Sequence, residues 1–135
     1  MKSLSVLVAD DEEHIRALLA EWLNPLGHVV ASARCGADAL KLAAKTQFDV
    51  VVTDVLMPDG DGPKLIEGLK KLQPAARVLA ISGGGRYLDS KECLKIAQGF
   101  GADAAIMKPF NREQFLEGFG AALTARRPAG AQAKA

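Results

Sequence analysis

The chain has 135 residues, 49% hydrophobic and 24% charged, a composition that fits one globular domain and excludes a disordered or fibrous chain. Lys plus Arg total 17 and Asp plus Glu 16, so the formal charge of +1 leaves no global field to draw the protein to nucleic acid or anionic lipid. No apolar run reaches the ~18 residues of a membrane span and no signal-peptide cleavage pattern follows Met1, so no membrane partner and a cytoplasmic location are expected.

Apolar runs of strand length lie at Leu4 to Ala9, His28 to Ala33, Phe48 to Thr53, Arg77 to Ile81 and Ala104 to Met107. Between the first two, Ile15, Leu18, Leu19, Trp22 and Leu23 recur at helical spacing, and Pro25 and Gly27 end that helix. Leu40, Ala43 and Ala44 mark a small-residue helix after strand two; Leu65, Ile66, Leu69 and Leu72 mark a third, with Gly62-Pro63 in its first turn. Tyr87 to Phe100 is read as a fourth helix, the least clearly patterned. Phe115, Leu116, Phe119 and Leu123 mark the last, with Asn111 as its cap. Alternating strands and helices predict right-handed crossovers and a parallel five-stranded sheet covered on both faces, a three-layer α/β/α sandwich. Residues 1–125 form the expected domain. From Arg126 to Ala135 nothing can build a core, so a flexible tail is expected. Cys35 and Cys93 lack metal-ligand spacing and are expected as reduced, packed thiols.

In a parallel sheet all carboxyl ends of the strands face one edge, where ligands bind. Strand one ends in Asp10-Asp11, strand three in Asp54, strand four in Ser82 and strand five in Lys108-Pro109. Clustered carboxylates repel unless a cation neutralises them, and hard oxygen ligands suit Mg²⁺. The acidic run Asp10 to Glu13 stands where a phosphate cradle would place glycines, so phosphate can enter only through the metal. Lys108 adds a point positive charge and Ser82 a hydroxyl donor. The set suits phosphoryl transfer with a carboxylate acceptor. His14 and His28 are read as a solvated side chain and a structural one. Asp59 and Asp61 are explained by turn formation and a helix N-terminus, and Arg126 and Arg127 by a helix C-terminus.

These residues resemble the receiver domain of two-component response regulators, through LVADDEEHIRALL, DVVVTDVLMPDGDGPKLI, VLAISGG and GADAAIMKPF, from about Leu4 to Ala125. The resemblance implies a flavodoxin-like fold with strand order 2-1-3-4-5 and, commonly, a cis Lys-Pro bond. It implies Asp54 as phosphoacceptor, with Mg²⁺ held by Asp11, Asp54 and the backbone carbonyl of Leu56, and by Asp10 through water. Ser82 would bind a phosphoryl oxygen and Lys108 would pair with the phosphoryl group. The implied protein is a stand-alone signalling switch, catalysing only its own phosphorylation and dephosphorylation. Its partners would be a sensor histidine kinase or histidine phosphotransfer protein, and a downstream protein target met through helix 4, strand 5 and helix 5.

The chain departs from the family where an aromatic residue commonly lies three positions before the lysine: here it is Ala105. Motion of the Gly83-Gly84-Gly85 loop or Tyr87 is expected to replace it, and Gly83 is read as keeping the phosphoryl group accessible. Leu56 and Gly84 stand where many receivers hold the hydrolytic water with polar side chains. Two alternatives are a pseudo-receiver that binds partners without phosphorylation, and an aspartate-nucleophile phosphatase of the haloacid dehalogenase type. The latter needs a second Asp where this chain has Leu56.

Overall fold

Strand and helix alternate along the chain, as the hydrophobic periods predict. The computed structural model describes residues 3–55, 61–83, 95 and 97–125. In chain order the elements are β1 (Ser5–Ala9), α1 (Glu13–Leu23), a 3-10 turn (Asn24–Leu26), β2 (Val29–Ala33), α2 (Gly36–Lys45), β3 (Val50–Asp54), α3 (Asp61–Leu72), β4 (Arg77–Ser82), a helical stretch at 97–100 (α4), β5 (Ala104–Met107) and α5 (Arg112–Thr124). The strands form one sheet, β2-β1-β3-β4-β5, with every neighbouring pair parallel.

Continuous apolar strands are stable only when both faces of the sheet are covered. On one face Val6, Val8, Val50, Val52, Leu79 and Ile81 pack with Ile15, Leu19 and Leu23 of α1 and Phe115 and Phe119 of α5. On the other, Leu7, Ala9 and Val51 meet Ala39 and Ala43 of α2 and Leu65 and Leu69 of α3. Val78 and Ala80 meet Ile66, Ala97 and Ala102 farther along that face. The edge strand β2 is the least buried, with Val29 66% exposed.

The helix ends follow local chemistry. Gly27 takes a φ of 92° after the 3-10 turn, a left-handed conformation that glycine adopts without strain. Asn111 caps α5 reciprocally with Gln114: Gln114 N–H donates to Asn111 Oδ1 at 2.8 Å, and Asn111 N–H to Gln114 Oε1 at 2.9 Å. The half-buried Cys35 thiol accepts the Asp38 N–H at 3.5 Å and so caps α2.

Three expectations need correction. Strand three begins at Val50 rather than Phe48, because the Phe48 N–H is taken by a side chain, Gln73 Oε1, at 2.7 Å. Ala44 is exposed, and Ala39 and Ala43 hold the inner face of α2. The α3 stripe ends at Leu69, since Leu72 is 48% exposed. Tyr87, Cys93 and the expected tail from Arg126 lie outside the described residues.

Gln73 follows α3 and is itself buried. Besides accepting from Phe48, its amide donates to the carbonyls of Ala43 at 2.7 Å and Thr46 at 2.6 Å, pinning the α2–β3 connection. Removing one partner leaves the others desolvated and unpaired, a cost of ~1–3 kcal/mol for each such group. Gln73→Ala is therefore expected to lower the unfolding free energy by about 2–4 kcal/mol, read as a lower urea midpoint at unchanged slope.

Candidate functional site

The register of the sheet brings the site together. Ala9 pairs with Thr53, so Asp10 and Asp54 stand side by side at the ends of β1 and β3. Ser82 pairs with Met107, which sets Lys108 one residue beyond it on the same edge, and the Lys108 N–H donates to the Ser82 carbonyl at 2.8 Å. The Lys108–Pro109 bond is cis. Carboxylate oxygens of Asp10, Asp11 and Asp54 all lie within 4.8 Å of one another, with Asp10 and Asp54 buried and Asp11 exposed.

Asp10 is held from several sides. Its N–H donates to the Ala33 carbonyl at 3.1 Å, its own carbonyl accepts from Arg16 Nη1 at 2.7 Å, and Oδ1 accepts the Glu12 N–H at 2.9 Å. The other oxygen, Oδ2, is buried with no hydrogen bond. It faces the Lys108 ammonium at 3.3 Å, close enough for an ion pair but without hydrogen-bond alignment. Lys108 Nζ also reaches Asp54 Oδ2 at 3.2 Å and Glu12 Oε2 at 2.7 Å.

Burial pushes the Asp10 carboxyl above the usual carboxylate range; the Glu12 amide and Lys108 oppose this and the Asp54 charge adds to it. The hydrogen bond from Lys108 holds Glu12 below that range. For Lys108, burial works to lower the pKa but is outweighed by Glu12, Asp54 and Asp10, which together push it up.

Of the expected site residues, Asp10, Asp11, Asp54 and Lys108 converge, and Ser82 lies half-buried on the same edge. Leu56, Asp59, Gly84 and Gly85 lie outside the described residues. His14 is exposed; His28 is buried, its Nδ1 accepting the Leu4 N–H at 3.1 Å while its ring lies against Phe119. A Cβ at Gly83 would make only ordinary contact, 3.5 Å from Lys108 Cδ. Two participants escaped sequence reasoning. Glu12 is Lys108's nearest partner, signalled only as the third acid of a run. Gly62, read as part of a turn, makes a close backbone approach.

The donor set fits a hard divalent cation: clustered carboxylate oxygens, one of them buried without a hydrogen bond, and an exposed carboxylate on the solvent side.

The response regulator receiver domain family model matches residues 6–119. The chain is 32% identical over 128 residues to the DNA-binding transcriptional regulator NtrC of Azospirillum brasilense; the match covers 95% of this chain and 26% of that protein. The chain thus spans about a quarter of that relative's length. Its fold superposes on chemotaxis response regulator CheY4 of Vibrio cholerae with a TM-score of 0.77 at 27% identity, covering 88% of this chain and 98% of that one. A response regulator protein from Burkholderia pseudomallei, with a phosphorylated aspartic acid, calcium ion and citrate, matches at a TM-score of 0.73 and 33% identity, covering 86% and 66%.

A Cβ at Gly62 would lie 2.4 Å from the Val55 carbonyl oxygen and 2.7 Å from that of Asp54. Both are backbone atoms, of Val55 and Asp54, so neither can swing aside. Gly62→Ala is expected to destabilise the fold by about 1–3 kcal/mol and to weaken Mg²⁺ binding by moving Asp54. Urea unfolding and a Mg²⁺ titration check the two effects.

Proposed function

The chain belongs to the response regulator receiver domain family, and from that membership we propose that Asp54 is the phosphoacceptor of a two-component signalling switch. The observation that carries this reading is the position of Asp54. It is 4% exposed at the end of the central strand, with Asp10 and Asp11 beside it and an ammonium at 3.2 Å.

An Asp54 carboxylate oxygen attacks the phosphorus of a phosphohistidine donor in line; the new O–P bond forms as the P–N bond breaks, and the imidazole leaves with the bond's electron pair and takes up a proton. Lys108 offsets negative charge on the transferring group and Ser82 donates a hydrogen bond to one of its oxygens. When bound, Mg²⁺ would be held by Asp11 and Asp54 with Asp10 assisting through water, and would supply further neutralisation; the Leu56 carbonyl expected as another ligand lies outside the described residues. Asp10 is oriented beforehand, its backbone by Ala33 and Arg16 and one carboxylate oxygen by the Glu12 N–H. Hydrolysis of the acyl phosphate by water returns the resting state, so the protein catalyses only its own modification.

The phosphodonor is a sensor histidine kinase or histidine phosphotransfer protein, and the setting is the cytoplasm. Among the described residues no helix is long and apolar enough to cross a membrane. The downstream protein binds α4, β5 and α5, where a cleft of about 740 Å³ is lined by Gln98, Ala105, Met107, Phe110, Gln114 and Gly118 among others. Phosphorylation biases this face by drawing Ser82 and Lys108 toward the new anion.

Incubation with acetyl phosphate and Mg²⁺ followed by mass spectrometry tests the assignment. Wild type is expected to gain one phosphoryl group, Asp54→Ala none, and Asp11→Ala to require more Mg²⁺; chelation should abolish labelling. Undiminished labelling of Asp54→Ala would sink the acceptor role, and an unlabelled wild type would favour the pseudo-receiver reading.

A further inference from the structure

We propose that Glu12 is a positioning residue that draws the Lys108 ammonium off the Asp10 and Asp54 carboxylates, so that Lys108 and Mg²⁺ do not compete for the same oxygens. The inference rests on the Mg²⁺ reading of the site given above.

Lys108 Nζ lies 3.3 Å from Asp10 Oδ2 and 3.2 Å from Asp54 Oδ2. Both side chains are almost wholly buried, 1% and 5% exposed, and both belong to the carboxylate cluster. A divalent cation and an ammonium on shared oxygens repel each other, and in a buried site that repulsion is weakly screened. Lys108 must therefore yield when the metal enters. If it had nowhere to go, its own buried charge would lose its partners, which is costly.

Glu12 supplies the alternative. Its Oε2 is already the nearest oxygen to Lys108, at 2.7 Å, and its side chain is 44% exposed, on the solvent side of the buried pair. Because the two are already in hydrogen-bond contact, the exposed Glu12 carboxylate can swing outward together with the ammonium, which stays paired while it clears Asp10 and Asp54.

The backbone of Glu12 is built to hold this position. Its N–H is bound to Asp10 Oδ1 at 2.9 Å, and its carbonyl accepts from the N–H groups of Ile15 at 3.1 Å and Arg16 at 3.2 Å. Glu12 is also the N-cap residue of α1, yet its side chain makes no capping hydrogen bond. Short Ser, Thr, Asp and Asn side chains turn an oxygen back to the helix N–H groups at that position, whereas the longer Glu side chain is free to reach outward. Here the helix does not use the carboxylate, and Lys108 does.

The test is a double-mutant cycle read by Mg²⁺ affinity, with titrations followed by backbone amide shifts of the whole chain in ~0.15 M salt to screen long-range fields. Glu12→Gln keeps the size of the side chain and removes its charge. It is expected to weaken Mg²⁺ binding roughly three- to tenfold, and in a Lys108→Ala background to change it by less than roughly twofold. Urea stability without Mg²⁺ separates this from a folding defect, and Lys108→Met, which keeps part of the stem, closes the same cycle should the alanine variant fail to fold. Unchanged or tighter Mg²⁺ binding by Glu12→Gln overturns the proposal. So does an equal loss in both backgrounds, because Glu12 would then act on the metal directly. A wild type that binds no Mg²⁺ overturns the metal reading itself, and this inference with it.

Discussion

Two buried carboxylates held side by side are the constraint from which the rest of the site follows. Asp10 and Asp54 end adjacent parallel strands, and the register leaves them no means of separating. Their mutual repulsion and loss of water must be offset inside the fold, and among the described residues one ammonium, that of Lys108, meets both. The offset is partial, since Asp10 still has its carboxyl pushed up and one oxygen without a hydrogen bond. A site left short of positive charge suits a divalent cation, the fit on which the proposed function rests.

The hydrophobic layers explain why this arrangement can persist. Val6, Val8, Val50 and Val52 on one face and Leu7 and Val51 on the other leave β1 and β3 almost no exposed side chain below the site. Packing of that kind is close to rigid, so the strand ends are fixed by the core rather than by the charges they carry. Above the core the restraints become polar: Val55 N–H still reaches the Ile81 carbonyl at 2.9 Å, extending the ladder past Asp54, and Gly62 lies so close to the Asp54 and Val55 carbonyls that a Cβ there would clash with both. Apolar burial thus supplies the energy, and backbone hydrogen bonds set the geometry.

What could be read from the sequence depended on distance along the chain. Strands, helices and the site edge were legible because each shows as a local pattern: an apolar run followed at once by Asp10, Asp54, Ser82 or Lys108, or a helical stripe such as Ile15, Leu19 and Leu23. The capping box at Asn111 spans three residues and was half visible, its cap read and its Gln114 partner not. Glu12 meets Lys108 across 96 positions, and Gln73 meets Phe48, Ala43 and Thr46 across 25 to 30. Those contacts require knowledge of which strands are neighbours and which way a side chain turns, and no periodicity carries that. Ala44 was misread for a related reason: alanine fits either face of a helix, so its place follows from the helix's rotation, which Ala39 and Ala43 set.

Among the described residues, the two sides of the sheet differ in how tightly their side chains interlock. Around α1 and α5 the rings of Trp22, Phe110, Phe115 and Phe119 form a connected series, with centroids 5.8 to 6.2 Å apart. Interlocked rings resist displacement, because moving one requires moving its neighbours. Across the sheet the described residues are smaller on average: Ala80, Ala97, Ala102 and Ala105 pack with Val55, Ile66 and Val78, beside the cleft over β5. Alanines bury little area each, so rearranging them forfeits little contact. Lys108 is joined to both sides: its amide is bonded to the end of β4, and Phe110, two residues on, enters the aromatic series. Among the described residues, a pull on Lys108 therefore meets stiffer packing toward α1 than toward Ala97 and Ala102. On the proposed reading, a displacement of Lys108 would pass to the smaller side chains beside β5 rather than into the interlocked rings.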